Sequence, residues 1–454
     1  MVASTRTIGV ILFFFLAIQL IFISLPVVTP DEAFYAWKTV TIRENIFTFF
    51  SPSIWESHPP FLSLIAAFIP LEPHIALRLI SILFGVLALF LMFGLFSRWL
   101  EVHVATFATI LMAFHPVFMI SSHYGLLDIP LLAGVLLAID GLDHYVRRRK
   151  LGSLVAGGIV SVLVKTKGAA IALPLLLYEF LIRIINIRLP RLRKLTASLI
   201  FPIVAGSVAV LGYLVLIFLL QGTISTYSQW EGNVLSFLRL VPWFFWVFFI
   251  IGYLGAGSIS RGSFLRFWCV WGACMLFFIS WTPDSYRFFL IGFPVIFLFI
   301  AMGYNRVASR LSSIVPFWSV RAVGILFITA FFLFQGFGFF YMSQWSLDKS
   351  VPVQWVGSIE EGTVFTAFPQ EIRYFSGVSL YPHGILRMVP SREEIFLNDL
   401  GKVPHPVYVI TGNHGSPFNG AYINPAFLND QGFIRIERID STSEDGPYSY
   451  FWEL

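Results

Sequence analysis

Apolar residues run along most of the chain in long stretches, broken by short turns carrying Arg and Lys, until the texture changes near Met342. A bilayer-spanning helix needs about 20 mainly apolar residues. On that measure the pattern predicts about eleven spans, near residues 8–28, 74–96, 104–121, 127–146, 151–165, 168–185, 195–220, 240–258, 266–281, 288–304 and 321–341, the fifth and sixth being short. The first run, Ile8 to Val28, carries no charge and outlasts the roughly 7–15 apolar residues of a signal peptide. It is followed by no small-x-small cleavage site, so it reads as a retained helix.

Between the first two spans lies a polar and aromatic outer loop, residues 29–73. It holds two short amphipathic patterns, Asp31 to Arg43 with Phe34, Tyr35 and Trp37, and Ile46 to Trp55. Aromatics with a few charges suit helices lying in the membrane interface, so two juxtamembrane helices are expected. After Tyr341 the pattern turns to short β-branched and aromatic runs: Thr363–Phe368, Ile372–Phe375, Val407–Thr411, Phe433–Ile439 and Tyr448–Trp452. Ser391-Arg392-Glu393-Glu394 has the form of a capping box and opens a helix near Ile395–Leu400. The expected architecture is a polytopic α-helical membrane domain, residues 1–342, followed by a small extracytoplasmic α/β domain, residues 343–454.

Composition agrees: 57% of the 454 residues are hydrophobic, 17% aromatic and 12% charged, against about 25% charged in soluble domains. The net charge of +5 is less informative than its placement. With a cytoplasmic N-terminus, the basic turns at Arg98, Arg147–Lys150, Arg183–Lys194, Arg261, Arg266, Arg306, Arg310 and Arg321 all fall inside, as the positive-inside rule requires. Nucleic acid is not needed to explain them. An odd number of spans leaves the C-terminal domain outside. Lys38, Arg43, Arg78, Lys165, Lys167, Arg239 and Arg287 then lie on the outer side against the rule, and an anionic ligand would supply a reason. The only cysteines, Cys269 and Cys274, sit within one span and read as core residues.

Candidate chemistry gathers at that outer boundary. Ionisable groups at a membrane edge are functional candidates by default. Asp31 and Glu32 follow the first span directly; they either cap an interfacial helix or supply a general base, and the two roles are compatible. Asp128, at the outer end of the fourth span, either caps its helix or shares that aqueous boundary. His58, before Pro59-Pro60, is an interfacial histidine or a donor to phosphate. Lys165 and Lys167 either snorkel to the interface or meet a lipid-linked phosphate. Arg287 pairs with Asp284 or grips phosphate with its planar fork. A divalent cation is compatible with Asp31, Glu32, His58 and His123, although no recognised ligand spacing supports one.

Taken in order, these segments resemble the GT-C glycosyltransferases, specifically the protein O-mannosyltransferase and aminoarabinose-transferase-like superfamily. Asp31-Glu32-Ala33-Phe34-Tyr35-Ala36 matches the DE-x-x-Y-A of the first outer loop, and His58-Pro59-Pro60-Phe61 the Lys/His-Pro-Pro-Leu motif. Ala76-Leu77-Arg78-Leu79, Leu127-Asp128-Ile129-Pro130-Leu131, Lys165-Thr166-Lys167-Gly168 and Arg287-Phe288-Phe289 with Pro294 follow in the family's order. His58 stands where some members carry Lys, Phe288 where many carry Tyr, and Ile291 where a Pro would fall.

The resemblance implies a GT-C fold and an inverting glycosyltransferase; the compact loops point separately to a prokaryotic plasma membrane. The donor is a polyprenyl-phosphate-linked sugar; the acceptor is a lipid, glycan or protein. It also implies Asp31 as base, with Glu32 and Asp128 as further carboxylates of the catalytic site. Arg287, Lys165, Lys167, His58 and Arg78 are the implied cations for the donor phosphate, and Tyr35 and Tyr286 line the substrate site. The rival reading is a secondary transporter or lipid flippase whose carboxylates bind coupling ions. Such proteins place these groups near the membrane midplane and often show repeats, whereas here they map to one boundary.

Overall fold

The computed structural model describes residues 2–24, 30–55, 58–148, 152–165, 241, 243–256, 290–311, 324, 359, 363–366, 386–388, 400, 402–403, 406–412, 428, 430–440 and 448–453. The chain divides into two compact units, one of residues 1–22, 55–61 and 79–337, the other of 23–54, 62–78 and 338–454. The expected spans at 168–185, 195–220, 266–281 and, apart from Gly324, 321–341 lie outside the described residues.

The first unit is helical. Its described helices are α1 (Val2–Ile21), the body of α5 (Pro73–Trp99), α6 (Val102–Phe114), α7 (Pro116–His123), α8 (Asp128–Arg148), α9 (Gly152–Val164), α10 (Trp243–Ala256) and α11 (Phe293–Leu311). Among the described residues, α5 is long and apolar enough to cross a membrane, and α6 with α7 qualifies as a bent pair. At 1.5 Å per residue the 27 residues of α5 reach about 40 Å, more than the ~30 Å hydrocarbon core.

The span expected at 104–121 is broken: α6 and α7 meet at a bend of 57°. Pro116 has no N–H to continue α6, and it drives His115 into an extended conformation (φ −66°, ψ 132°). The fully buried His115 then serves as N-cap of α7, its Nδ1 accepting from the Val117 N–H at 3.3 Å, while its ring lies 4.3 Å from that of Phe293. Arg98 of α5 pairs with Asp140 of α8.

Small residues set two close helix crossings. Added Cβ atoms on Gly252 of α10 and Gly303 of α11 would collide with the carbonyl oxygens of Phe299 and Phe248, so each glycine admits the other helix's backbone. In the same way Gly157 of α9 meets the Ala138 backbone of α8, and Ser161 of α9 lies against Gly134.

The second unit holds the outer loop. Here α2 (Pro30–Glu44) opens on Pro30, whose missing N–H costs little in a first turn, with Asp31 and Glu32 at the positive end and Arg43 at the negative end of the helix dipole. The second expected juxtamembrane helix is instead a 3-10 turn, Ile46–Phe50, followed by the single turn α3 (Pro52–Trp55). Pro52 explains the division, because it leaves Ser51 extended (φ −71°, ψ 135°). A further short helix, α4 (Phe61–Ala67), leads toward α5.

The same unit contains a five-stranded mixed sheet in the order β2-β1-β3-β5-β4. Its strands are β1 (Thr363–Thr366), β2 (Leu386–Met388), β3 (Val407–Gly412), β4 (Ile434–Asp440) and β5 (Tyr448–Glu453). β1 pairs in parallel with β2 and β3; β5 pairs antiparallel with β3 and β4. Phe365, Val403, Val407, Val409, Leu428 and Phe433 form its described core. The expected strand Ile372–Phe375 and most of the helix expected near Ile395–Leu400 lie outside the described residues.

Candidate active site

The N-terminus of α2 separates the two adjacent carboxylates. Glu32 is fully buried and Asp31 half-buried. Arg78, in the first two turns of α5 and also fully buried, donates from Nε to Glu32 Oε1 at 2.6 Å and from Nη2 to Oε2 at 3.1 Å. Its Nη1 donates to the Ile23 carbonyl at 2.8 Å. This two-point fork is the strong form of a carboxylate–guanidinium contact. It ties the start of α2 to the start of α5 and to the chain just past α1. Of the cations assigned to phosphate by resemblance, Arg78 has a protein carboxylate as its partner here.

Two more contacts position α2. The Tyr35 carbonyl accepts from Thr39 Oγ1 at 2.9 Å and from Ser63 Oγ of α4 at 3.1 Å, and Tyr35 itself is buried. Arg43 Nη2 donates to the carbonyls of Ile69 at 2.9 Å and Leu71 at 3.0 Å, with Ala66 at 3.4 Å. The local reason for Arg43 on the outer side is therefore the set of backbone carbonyls at and beyond the end of α4, which gather partial negative charge, rather than an anionic ligand. Lys38 is fully buried, its Nζ 4.3 Å from the Phe34 ring centroid, a cation–π arrangement one turn apart on the same helix. The sequence counted Lys38 among the anomalous cations but gave no sign that it is buried.

In the first unit the structure joins two residues that the sequence placed in different roles. Lys165 Nζ donates to Asp128 Oδ1 at 3.0 Å, with the two side chains 8% and 4% exposed. Gly125, in the left-handed region at φ 62°, turns the chain after α7 so that Asp128 begins α8. Lys165 directly follows α9, its N–H bonded to the Ser161 carbonyl at 3.2 Å. The tight α8–α9 crossing at Gly134, Ala138, Gly157 and Ser161 is what lets the two ends meet.

His58 is half-buried ahead of the buried Pro59-Pro60 pair. His123 ends α7 fully buried, its ring edge-on to Tyr124 at 5.0 Å. Among the described residues no three His, Cys, Asp or Glu side chains are grouped as a metal site. Lys167, Tyr286 and Arg287 lie outside the described residues.

Residues 58–249 match the family model of dolichyl-phosphate-mannose-protein mannosyltransferase. The crystal structure of ArnT from Cupriavidus metallidurans in the apo state is similar in fold, with a TM-score of 0.58 at 14% identity over 99% of this chain and 98% of that one. The same ArnT bound to undecaprenyl phosphate gives a TM-score of 0.48 at 15% identity, over 99% and 97% of the two chains. The Archaeoglobus fulgidus oligosaccharyltransferase tethered with an acceptor peptide gives 0.49 at 15% identity, over 89% and 69%. No curated protein matches the sequence.

Proposed function

We propose that this chain, for which the mannosyltransferase family match and the ArnT-like fold support a GT-C glycosyltransferase, moves a sugar from a polyprenyl-phosphate donor to an acceptor hydroxyl with inversion. The reaction takes place at the extracytoplasmic face of a multi-pass plasma-membrane protein whose N-terminus is cytoplasmic. Residues 1–342 form the catalytic membrane domain and residues 343–454 the extracytoplasmic domain.

One observation carries the assignment of roles. Of two neighbouring carboxylates, Glu32 is committed to Arg78 in a fully buried pair, while Asp31 keeps access to solvent. A base must receive a proton from an incoming hydroxyl, so the accessible group is the base and the buried one fixes its helix. Asp31 takes the acceptor proton. The acceptor oxygen attacks the anomeric carbon as the bond from that carbon to phosphate oxygen breaks, through an oxocarbenium-like state. The bonding pair leaves on polyprenyl phosphate, which needs no acid to depart. Arg287, Lys165, Lys167 and His58 are the cations proposed to stabilise the charge gathering there. Arg78 contributes through Glu32, and Lys165 is held by Asp128 until donor phosphate offers it a second anion. Tyr35 and Tyr286 line the sugar site.

The test is Asp31→Asn in the full chain reconstituted into vesicles with a polyprenyl-phosphate-linked sugar. Transfer should fall about 10²–10⁴-fold, the usual contribution of a positioned base. A fully active variant would remove Asp31 from the mechanism.

A further inference from the structure

The outer loop carries an apolar surface that the proposed reaction does not use. Phe47 is 77% exposed, Phe50 75% and Phe68 74%, and Ile46 and Leu71 are exposed beside them in the sequence. These residues come from two segments, the 3-10 turn Ile46–Phe50 and the chain after α4.

Both segments are braced. Arg43 Nη2, at the end of α2, donates to the carbonyls of Ile69 and Leu71 at 2.9 and 3.0 Å. The turn is folded back on the same helix end by Thr48 Oγ1, which donates to the Thr41 carbonyl at 3.1 Å, and by Asn45 Oδ1, which accepts from the Phe47 N–H at 3.0 Å. One helix terminus therefore holds both sets of exposed rings.

Exposed apolar clusters mark surfaces that something else covers. Chain continuity says what covers this one. Leu71 lies two residues before Pro73, the first residue of the 27-residue apolar helix α5. Even fully extended, the five steps from Phe68 to Pro73 cover about 17 Å, so Phe68 stays near the start of α5, and Arg43 and Thr48 tie the turn bearing Phe47 and Phe50 to the same stretch. Aromatic rings are favoured at that depth. We propose that Phe47, Phe50 and Phe68 form a lipid-inserting knob seated in the outer leaflet, with Arg43 as its internal brace. The knob would set the depth of α2, whose first turn carries Asp31.

The test uses the full chain with Cys269 and Cys274 replaced by Ser, nitroxide-labelled at Phe47→Cys, Phe50→Cys, Phe68→Cys or, as a polar control, Glu44→Cys. In phosphatidylcholine–phosphatidylglycerol vesicles, labels at 47, 50 and 68 should collide several-fold more with oxygen than with a nickel chelate, and the label at 44 should show the reverse. Preference for the chelate at all four positions would overturn the proposal. Exclusion of both reagents at 47, 50 and 68 would also overturn it, because protein rather than lipid would then cover the rings. As an independent check, a photoreactive benzoylphenylalanine at position 47 should give lipid adducts by mass spectrometry; protein–protein adducts alone would refute lipid contact. Arg43→Ala should narrow the spectral lines of the label at 68, and unchanged lines would remove Arg43 as the brace.

Discussion

Replacing Arg78 by Met leaves the Glu32 carboxylate fully buried without its guanidinium. The structure fixes what is lost: a bond of 2.6 Å, a second of 3.1 Å, and the link to the Ile23 carbonyl at 2.8 Å. Breaking a buried ion pair by removing one partner costs about 3–5 kcal/mol, because the surviving charge stays desolvated. Glu32→Gln should cost less. Its amide oxygen still accepts from Nε, but one of the two fork bonds is lost and the guanidinium loses its counter-charge. In the double variant no charge is stranded, so its loss should fall short of the summed single losses by at least about 2 kcal/mol. At roughly 1 °C per kcal/mol for a chain of 454 residues, Arg78→Met should lower the apparent Tm of the detergent-solubilised chain by about 3–5 °C, with the double variant recovering part of it. The assay is the full cycle of four proteins measured by thermal and denaturant unfolding. Losses that add to within about 0.5 kcal/mol would refute the coupling, and with it the claim that this pair fixes the first turn of α2.

Asp128→Asn keeps an acceptor for Lys165 Nζ but leaves that buried ammonium without its counter-charge; the apparent Tm should fall, and sugar transfer by the protein that remains folded should drop at least about tenfold. An unaltered rate in that transfer assay would leave the Asp128–Lys165 pair with a structural role alone. Gly252→Ala should destabilise the chain by about 1–3 kcal/mol, because the new methyl meets the Phe299 carbonyl and forces α10 and α11 apart. A thermal unfolding midpoint equal to that of the parent would refute that packing.

The sequence was legible where local chemistry decides and opaque where distant residues meet. Pro30, Asp31, Glu32 and Arg43 carry start and stop signals within one segment, and α2 runs where they say. Pro116 carried an equally local signal, yet an unbroken apolar stretch on both sides masked the break that its missing N–H imposes. Pro52 likewise cut a predicted helix into a 3-10 turn and a single helical turn. The contacts that arrange the candidate site could not be read in the same way. Glu32 and Arg78 lie 46 residues apart and Asp128 and Lys165 lie 37 apart, and nothing in either neighbourhood names its partner. Their residue types pointed to anion chemistry; only the fold shows that the nearest anions are the protein's own carboxylates.

The crossing of Gly252 with Gly303 restricts the chain's freedom to vary in an unusual way. Most tight contacts can be relieved by trimming the side chain opposite, so a gain in size at one position is tolerated after a loss at another. Here each glycine faces backbone atoms of the other helix, at Phe299 and at Phe248, and no substitution makes a carbonyl smaller. The two positions therefore have no compensating partners, and an insertion or deletion that slides either helix by one residue would bring a side chain into the crossing. Redesign of this region for stability has to treat the pair as fixed and work around it.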